Sequence, residues 1–279
     1  MTDNQNPHFI ECSEHYENTS TFVSRVDIFR FRKAPGHYLD WLKEQSPFEK
    51  ADKILDLGCG PALLWKKFPD LLKQNHQLFL TDRSSNMLFH ARNHTGELKA
   101  ERFFLRNAME QLCFKDQQFD AVLAHMLLYH ATDIDQTLRE ITRVLKPHAW
   151  LSTTTFASHS EDIIWKTVHA IEPEIPPYSE ILSPFSAENA PSQLKRHFSS
   201  LKTTNYQTGF SCPYPEIWAD FICSFPNVEL RQLKSGFRQK LIHKLEKLID
   251  QHGTLPYQTE MVHYLCQQPR TRILHEAAL

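Results

Sequence analysis

The sequence has few glycines and no stretch of 18 apolar residues. Only 7 of its 279 residues are glycine, so each one marks a position where the backbone turns tightly or approaches another group. Without a long apolar run, no transmembrane helix is expected. The polar N-terminus also lacks the layout of a signal peptide. We therefore expect a cytoplasmic protein.

Signals for metal sites and disulfides are missing as well. The chain has six cysteines, but none forms a C-x-x-C pair, and its 16 histidines show no H-E-x-x-H spacing. In a long cytosolic chain, such cysteines are expected to be reduced thiols that are mostly buried. The sequence therefore predicts no metal site.

Neither sign of charge is in large excess. The 31 Lys and Arg residues against 33 Asp and Glu residues give a formal net charge of −2. Such a balance provides no general attraction to phosphate backbones, so no nucleic-acid partner is expected. The one short basic run, residues 30–33, is interpreted as a solvated helix face.

What the chain does contain is a regular alternation of strand and helix patterns between residues 52 and 156. Strands are predicted at residues 54–57, 77–81, 102–106, 120–125 and 150–155. Helical patterns separate them, with Ser84 or Ser85 capping one helix and Asp133 or Asp135 starting another. This alternation predicts βαβ units and a parallel sheet.

The N-terminal flank has helical spacing. Residues 22–33 and 36–45 have apolar positions at helical intervals, with a break at residues 34–36. We expect residues 1–50 to form a helical lid over a main domain at residues 51–279.

The C-terminal flank is less regular. A proline-rich stretch at residues 172–191 predicts a loop within a substrate cap at about residues 157–225. Further strands are predicted at 201–210 and 259–266, and further helices at 160–171, 193–198, 214–224 and 228–251.

The loop after the first strand carries the chemistry. Gly58 and Gly60 follow the apolar strand directly and precede a helix, so the backbone can turn tightly there and approach a ligand. Doubly wound sheets bind ligands at this edge. A dinucleotide fits poorly, because the third glycine position is Leu63 and Asp56 would face a pyrophosphate. That acid suits a ligand that carries an ammonium and a sulfonium.

Residues 52–155 resemble the class I S-adenosylmethionine-dependent methyltransferases, in particular the small-molecule branch typified by the ubiquinone/menaquinone biosynthesis enzymes. The resemblance rests on ILDLGCGPA at 54–62, LTDRSSNML at 80–88, the segment at 107–130 and LREITRVLKP at 138–147. It implies an α/β, Rossmann-like doubly wound sheet of about seven strands, mostly parallel with an antiparallel last strand. N-terminal helices, a cap insertion and the cofactor S-adenosyl-L-methionine are implied as well.

The same resemblance assigns residues around the cofactor. The methionine part is assigned to Asp56, Gly58, Cys59 and Gly60, the ribose to Asp82, the adenine to Arg83, Met87, Ala108 and Met109, and the sulfonium to His125. Met87 fits core packing equally well. Many relatives have Asp in place of Ala108, so either Asn107 substitutes through its side-chain oxygen or that contact is lost. Relatives also commonly have Gly-Gly where this chain has His148 and Ala149, so that turn must differ.

Two histidines are candidates for a general base. His125 and His130 follow the fourth strand, near the expected position of the methyl group, and His is the usual proton acceptor near neutral pH. The alternatives are cofactor packing for His125 and a structural role for His130. Tyr16 and Arg25 lie in the N-terminal helices, which close over the cofactor in relatives; ordinary surface or core positions are the alternative.

Aromatic residues are frequent in the segment that should line a substrate pocket. They are Trp165, Tyr178, Phe185, Phe210, Tyr214, Trp218, Phe221 and Phe225. They indicate a small, apolar or aromatic methyl acceptor, or else the core of the cap. The predicted activity is methyl transfer to such an acceptor by in-line displacement. The alternatives are a methyltransferase acting on tRNA or protein, and a non-catalytic S-adenosylmethionine-binding protein. The oligomeric state is not indicated.

Overall fold

The computed structural model describes residues 27–33, 36–159, 162–225, 228, 236–255 and 257–270. Seven strands form one sheet: β1 Lys53–Leu57, β2 Gln77–Asp82, β3 Glu101–Arg106, β4 Phe119–His125, β5 Leu145–Phe156, β6 Phe198–Thr208 and β7 Thr259–Pro269. The helices are α1 Tyr38–Glu44, α2 Leu63–Lys67, α3 Ser85–His94, α4 Ile134–Val144, α5 Asp162–His169, α6 Tyr178–Leu182, α7 Ala190–His197, α8 Pro215–Cys223 and α9 Phe237–His252. None of these helices is long and apolar enough to span a membrane.

The strand order is β3-β2-β1-β4-β5-β7-β6. Neighbouring strands from β3 to β5 are parallel, whereas β7 is antiparallel to both β5 and β6. The chain leaves β1 toward β2 and later returns to place β4 on the other side of β1, so the strand order reverses there. The predicted fold class and the antiparallel last strand are confirmed.

Local signals explain where the central helices begin. The Ser84 side chain accepts a hydrogen bond from the Met87 amide, and the Asp133 side chain accepts one from the Gln136 amide. Each oxygen satisfies an amide that the first helical turn leaves unpaired. Of the alternatives that the sequence offers, Ser84 and not Ser85 caps α3, and Asp133 and not Asp135 caps α4.

The N-terminal flank differs from the prediction. In place of a helix that runs to residue 33, a 3₁₀ turn spans Ile28–Phe31. The turn ends there because Arg32 pairs with Phe210 in an antiparallel bridge, which requires extended backbone. Tyr16 and Arg25 lie outside the described residues, and the lid at residues 1–50 stays a prediction.

The proline-rich stretch contains helices where a loop was predicted. Pro177 directly precedes α6, and Pro191 lies in the first turn of α7. Proline is tolerated at these positions because the first amides of a helix have no partner within the helix. The predicted loop across residues 172–191 is therefore interrupted by α6 and ends where α7 begins.

The fifth strand is longer than predicted. It begins at Leu145 and includes His148 and Ala149, so the segment that is commonly Gly-Gly in relatives is extended here. The pairing of β5 with β4 shifts register between Phe119 and Ala121, which accommodates the additional residues.

Candidate functional site

A cavity of about 650 Å³ opens at the carboxyl ends of the parallel strands. One end, which we call the glycine-loop end, is walled by residues 56–64, 82–84, 87, 107, 109 and 125–127. The other, the aromatic end, is walled by Phe29, Tyr38, Tyr129, Phe156, Tyr178, Tyr206, Phe210, Phe221, Phe225 and Tyr257. Both ends belong to one continuous space, so two ligands bound there would meet.

The glycines of the loop have different surroundings. Both have a positive φ, +64° at Gly58 and +52° at Gly60. Residues that carry a Cβ atom rarely adopt this conformation, because the Cβ atom approaches the following carbonyl oxygen too closely. A Cβ atom at Gly58 would lie 2.4 Å from Cδ1 of Leu127, whereas one at Gly60 would have no atom within 4 Å. A side chain at Gly58 would therefore force the Leu127 side chain to move, whereas Gly60 leaves space open.

Cys59 contributes its backbone to the loop. Its amide donates to the carbonyl of Thr81 over 2.9 Å, which ties the loop to β2. Its thiol lies 3.4 Å from the Gly60 carbonyl, and burial raises the thiol pKa well above its usual value. The sulfur therefore stays protonated and is a poor nucleophile.

Asp82 ends β2 and is held in place by backbone amides. Its Oδ2 accepts a hydrogen bond from the Gly60 amide and its Oδ1 accepts one from the Ser84 amide, both at 2.9 Å. Each carboxylate oxygen thus has a backbone amide as a fixed hydrogen-bond partner. The acid therefore lies at the rim of the glycine loop in a fixed orientation.

Asp56 is a buried acid beneath the loop. The Trp65 indole Nε1 donates to its Oδ2 over 2.6 Å. Burial raises the pKa of Asp56 to about 7, an effect that the Trp65 hydrogen bond opposes and the nearby charge of Asp82 reinforces. A cation placed beside Asp56 would favour its ionised form.

The residues predicted to contact adenine lie mostly in the cavity wall. Arg83, Met87, Asn107 and Met109 line it, whereas Ala108 is not among the lining residues. The Asn107 side-chain nitrogen donates to the Ala108 carbonyl over 2.9 Å. Its side-chain oxygen is thereby directed away from that carbonyl, an orientation compatible with the proposed substitution for Asp.

His125 lines the cavity at the end of β4, but its surroundings disfavour a proton acceptor. Burial and the neighbouring His263 lower the pKa of His125 to about 3. Among the described residues, its buried Nδ1 has no hydrogen-bond partner. A ring that stays neutral near pH 7 and binds protons weakly fits cofactor packing better than general-base catalysis.

A buried polar network behind His125 was not predicted from the sequence. The Ser152 hydroxyl lies 2.8 Å from Nε2 of His263 and 3.5 Å from Nε2 of His125. It also accepts a hydrogen bond from the Ser46 hydroxyl at 2.8 Å. These residues come from β4, β5, β7 and the segment after α1. Their separation in sequence, 106 positions between Ser46 and Ser152, leaves no local signal that could have predicted the network.

His130 lies in the 3₁₀ turn Leu128–His130 and lines the cavity near the aromatic end. Its ring centroid is 4.5 Å from that of Tyr129. The structure thus brings His125 and His130 into the same wall, and a catalytic role for either stays a prediction.

The predicted substrate aromatics divide into two groups. Tyr178, Phe210, Phe221 and Phe225 line the cavity. Trp165, Phe185 and Trp218 are buried without lining it, and Tyr214 is 52 % exposed. From the sequence, these aromatic residues could either line the pocket or form the core of the cap. The first alternative applies to some of them and the second to others. Within the described residues, no cluster of three or more His, Cys, Asp or Glu side chains is arranged to bind a metal.

Comparison with known proteins identifies relatives of the central region. A family model described as a methyltransferase domain matches residues 55–153. The ubiquinone/menaquinone biosynthesis C-methyltransferase UbiE of Pseudoalteromonas translucida is 32 % identical over 149 residues, covering 52 % of this chain and 59 % of that protein. The sterol 24-C-methyltransferase erg-4 of Neurospora crassa is 32 % identical over 171 residues, covering 53 % of this chain and 44 % of that protein. The chain spans less than two thirds of the length of either relative.

The fold extends further than the sequence similarity. An N-methyltransferase of Haemonchus contortus, solved in complex with phosphomonomethylethanolamine and S-adenosylhomocysteine, superposes with a TM-score of 0.56. The match covers 94 % of this chain and 59 % of that one at 16 % identity. At this identity the comparison shows a shared fold.

Proposed function

The chain carries a class I S-adenosylmethionine-dependent methyltransferase domain, and from this premise we propose that it methylates a small, apolar or aromatic acceptor. The observation that carries the proposal is the continuity of the cavity. Its glycine-loop end has acids fixed at the ends of β1 and β2, and its aromatic end is walled by rings. A methyl donor at one end would face an apolar acceptor at the other.

The residues of the glycine-loop end fit the cofactor. The open space at Gly60 lets a ligand approach the backbone, and the carboxylate of Asp82 is the group type that accepts hydrogen bonds from two ribose hydroxyls. Asp56 would face the positively charged methionine part. When bound, S-adenosylmethionine supplies an electrophilic methyl group. The protein mainly positions the two reactants and excludes water.

We propose carbon as the accepting atom. The relatives at 32 % identity are named as C-methyltransferases. In addition, His125 at the end of β4 is a weak base, because its pKa is low. An electron-rich acceptor carbon would need no proton removed before it attacks the methyl group, and attack would release S-adenosylhomocysteine. The proton that the methylated carbon then loses would pass to water at the mouth of the cavity. The apolar walls would keep the reaction away from water.

Isotope transfer tests the proposal. The protein is incubated with S-adenosylmethionine carrying a deuterated methyl group and a metabolite extract, and products are identified by mass spectrometry. We expect a labelled apolar small molecule, with the label on carbon by NMR, and less of it with an Asp82→Ala variant at a subsaturating cofactor concentration. Label in tRNA or protein would support the macromolecular alternative. Cofactor binding by calorimetry without any labelled product would support a non-catalytic binding protein.

A further inference from the structure

Arg32 differs from its basic neighbours. Arg30 is 57 % exposed and pairs with Asp27 at 3.3 Å, and Lys33 is exposed, as expected of a solvated face. The Arg32 side chain instead lines the cavity, with its guanidinium carbon 5.0 Å from the ring centroid of Phe29. Among the described residues, its buried Nη2 has no hydrogen-bond partner. The interpretation of residues 30–33 as a uniformly solvated face was therefore wrong at Arg32.

The backbone around Arg32 is fixed to the end of β6. Besides the bridge between Arg32 and Phe210, the Lys33 amide donates to the Gly209 carbonyl over 2.9 Å, and the Ser211 amide donates to the Phe31 carbonyl over 2.8 Å. These bonds hold the guanidinium in the wall of the aromatic end.

Two tyrosines share the environment of Arg32. The charge of Arg32 lowers the pKa of both Tyr38 and Tyr206, but burial outweighs it and raises the pKa of Tyr38 to about 12. Both phenols therefore stay protonated near neutral pH. The carboxylate whose charge reaches Tyr206 is Asp40, and its Oδ2 accepts a hydrogen bond from Lys67 at 2.6 Å. This carboxylate is already paired.

Leaving a buried guanidinium nitrogen without a hydrogen-bond acceptor is costly, because the nitrogen loses water without gaining a partner. An anionic ligand would compensate for that loss, and guanidinium groups bind carboxylates in a favourable geometry. We propose that Arg32, flanked by Tyr38 and Tyr206, forms an anion subsite that binds a carboxylate on the methyl acceptor. This inference rests on the proposed function and narrows the acceptor to an apolar molecule that bears an acid group.

A second source of a carboxylate is the methionine part of the cofactor. Arg32 pairs with Phe210 and packs over the ring of Phe29, and its charge acts on Tyr38 and Tyr206. All four residues belong to the aromatic end, and none belongs to the glycine loop. The contacts therefore favour the acceptor, and the experiment must distinguish the two sources.

The test compares an acid with its neutral analogue. With the protein saturated in S-adenosylhomocysteine, calorimetry measures the binding of 2-naphthoate and of 2-naphthamide. We expect wild type to bind the acid at least about tenfold more tightly than the amide. Arg32→Gln should abolish this preference, and Arg32→Lys, which keeps the charge, should retain part of it. The matched control Arg30→Gln, two positions away and solvent-exposed, should behave as wild type.

Affinity for S-adenosylhomocysteine is measured in each variant. We expect that of Arg32→Gln to stay within about twofold of wild type. A wild type without preference for the acid, or a preference that survives in Arg32→Gln, would overturn the inference. A tenfold loss of S-adenosylhomocysteine affinity in Arg32→Gln would assign the subsite to the cofactor and would also overturn it. Wild type that binds no S-adenosylhomocysteine would instead contradict the proposed function.

Discussion

The two ends of the cavity are built by different means. At the glycine-loop end, the decisive contacts run through backbone atoms, such as the Gly60 and Ser84 amides that bind Asp82. At the aromatic end, the walls are side chains, such as Tyr178 and Phe225, whose ring centroids are 5.0 Å apart. A backbone site tolerates little change without loss of binding, whereas a side-chain wall can be altered without changing the fold. The shape of the first end is thus fixed by the fold, and the shape of the second depends on which side chains line it.

The largest expected effect tests how tightly the glycine loop is constrained. Gly58→Ala combines the strain of a positive φ with a Cβ atom 2.4 Å from Leu127. We expect a loss of about 2–4 kcal/mol in the free energy of unfolding, from overpacking and strain together. Gly60→Ala has the strain alone and should lose about 1–2 kcal/mol.

Chemical denaturation of both variants checks this difference. A second substitution, Leu127→Ala, should restore part of the stability of Gly58→Ala, because it removes the clashing atoms. Equal losses in the two glycine variants would show that packing against Leu127 does not matter.

The next effect concerns the acid at the end of β2. Asp82→Ala should weaken S-adenosylmethionine binding by about 1–3 kcal/mol, through lost charged hydrogen bonds. The matched control is Asp70→Ala, which removes an exposed acid that pairs with Lys99 at 3.1 Å. Calorimetry on both variants measures the difference. An Asp82→Ala affinity equal to that of wild type would contradict the ribose assignment.

A smaller effect follows from the raised pKa of Asp56. Below about pH 7 the ligand-free acid is mostly protonated, and a cationic ligand favours the ionised form. Affinity for S-adenosylmethionine should therefore rise by about tenfold between pH 6 and pH 8, as the ionised fraction grows. The same pKa makes folding less favourable as pH rises from about 4 to 7, because the folded state retains the proton.

Calorimetry across this pH range tests the linkage. Asp56→Asn keeps an oxygen for the Trp65 indole but cannot ionise, so its affinity should vary less with pH. The charge that acts on Asp56 is that of Asp82, so Asp82→Asn serves as a second control. A wild-type affinity that stays constant with pH would be inconsistent with a cation beside Asp56.

The smallest expected effect is at His125. Because its ring is neutral and its contact with Ser152 is long at 3.5 Å, His125→Gln should change cofactor affinity by about 0.5 kcal/mol. The turnover rate should retain its dependence on pH. A loss of about 10²–10⁴ in rate is typical of a removed general base and would restore the catalytic interpretation. His130→Gln, assayed in parallel, tests the second candidate.

The glycine-loop end could be predicted from the sequence because its signals are local. Gly58 and Gly60 follow their strand directly, and Asp82 stands at the end of the next, so a few adjacent residues identify each position. Leu127 is different, because only the folded chain shows that it fills the space a Gly58 side chain would need.

The aromatic end could be predicted only in outline. Composition indicated rings near residues 157–225, but not which of them face the cavity. The boundary at Phe31 depends on pairing with Phe210, which lies far away in the sequence. The position of Arg32 in the cavity wall follows from that same pairing, so the solvated face predicted for the short basic run was wrong at Arg32 for the same physical reason.

The insertion of β7 between β5 and β6 has a consequence for the order of assembly. Among the described strands, β6 pairs with β7 alone. During synthesis, β6 must therefore wait for some 50 further residues before its backbone groups find a strand partner, while the parallel strands β1 to β5 can already associate. The early part of the chain can thus form the glycine-loop end on the ribosome before Tyr257 and β7 complete the aromatic end.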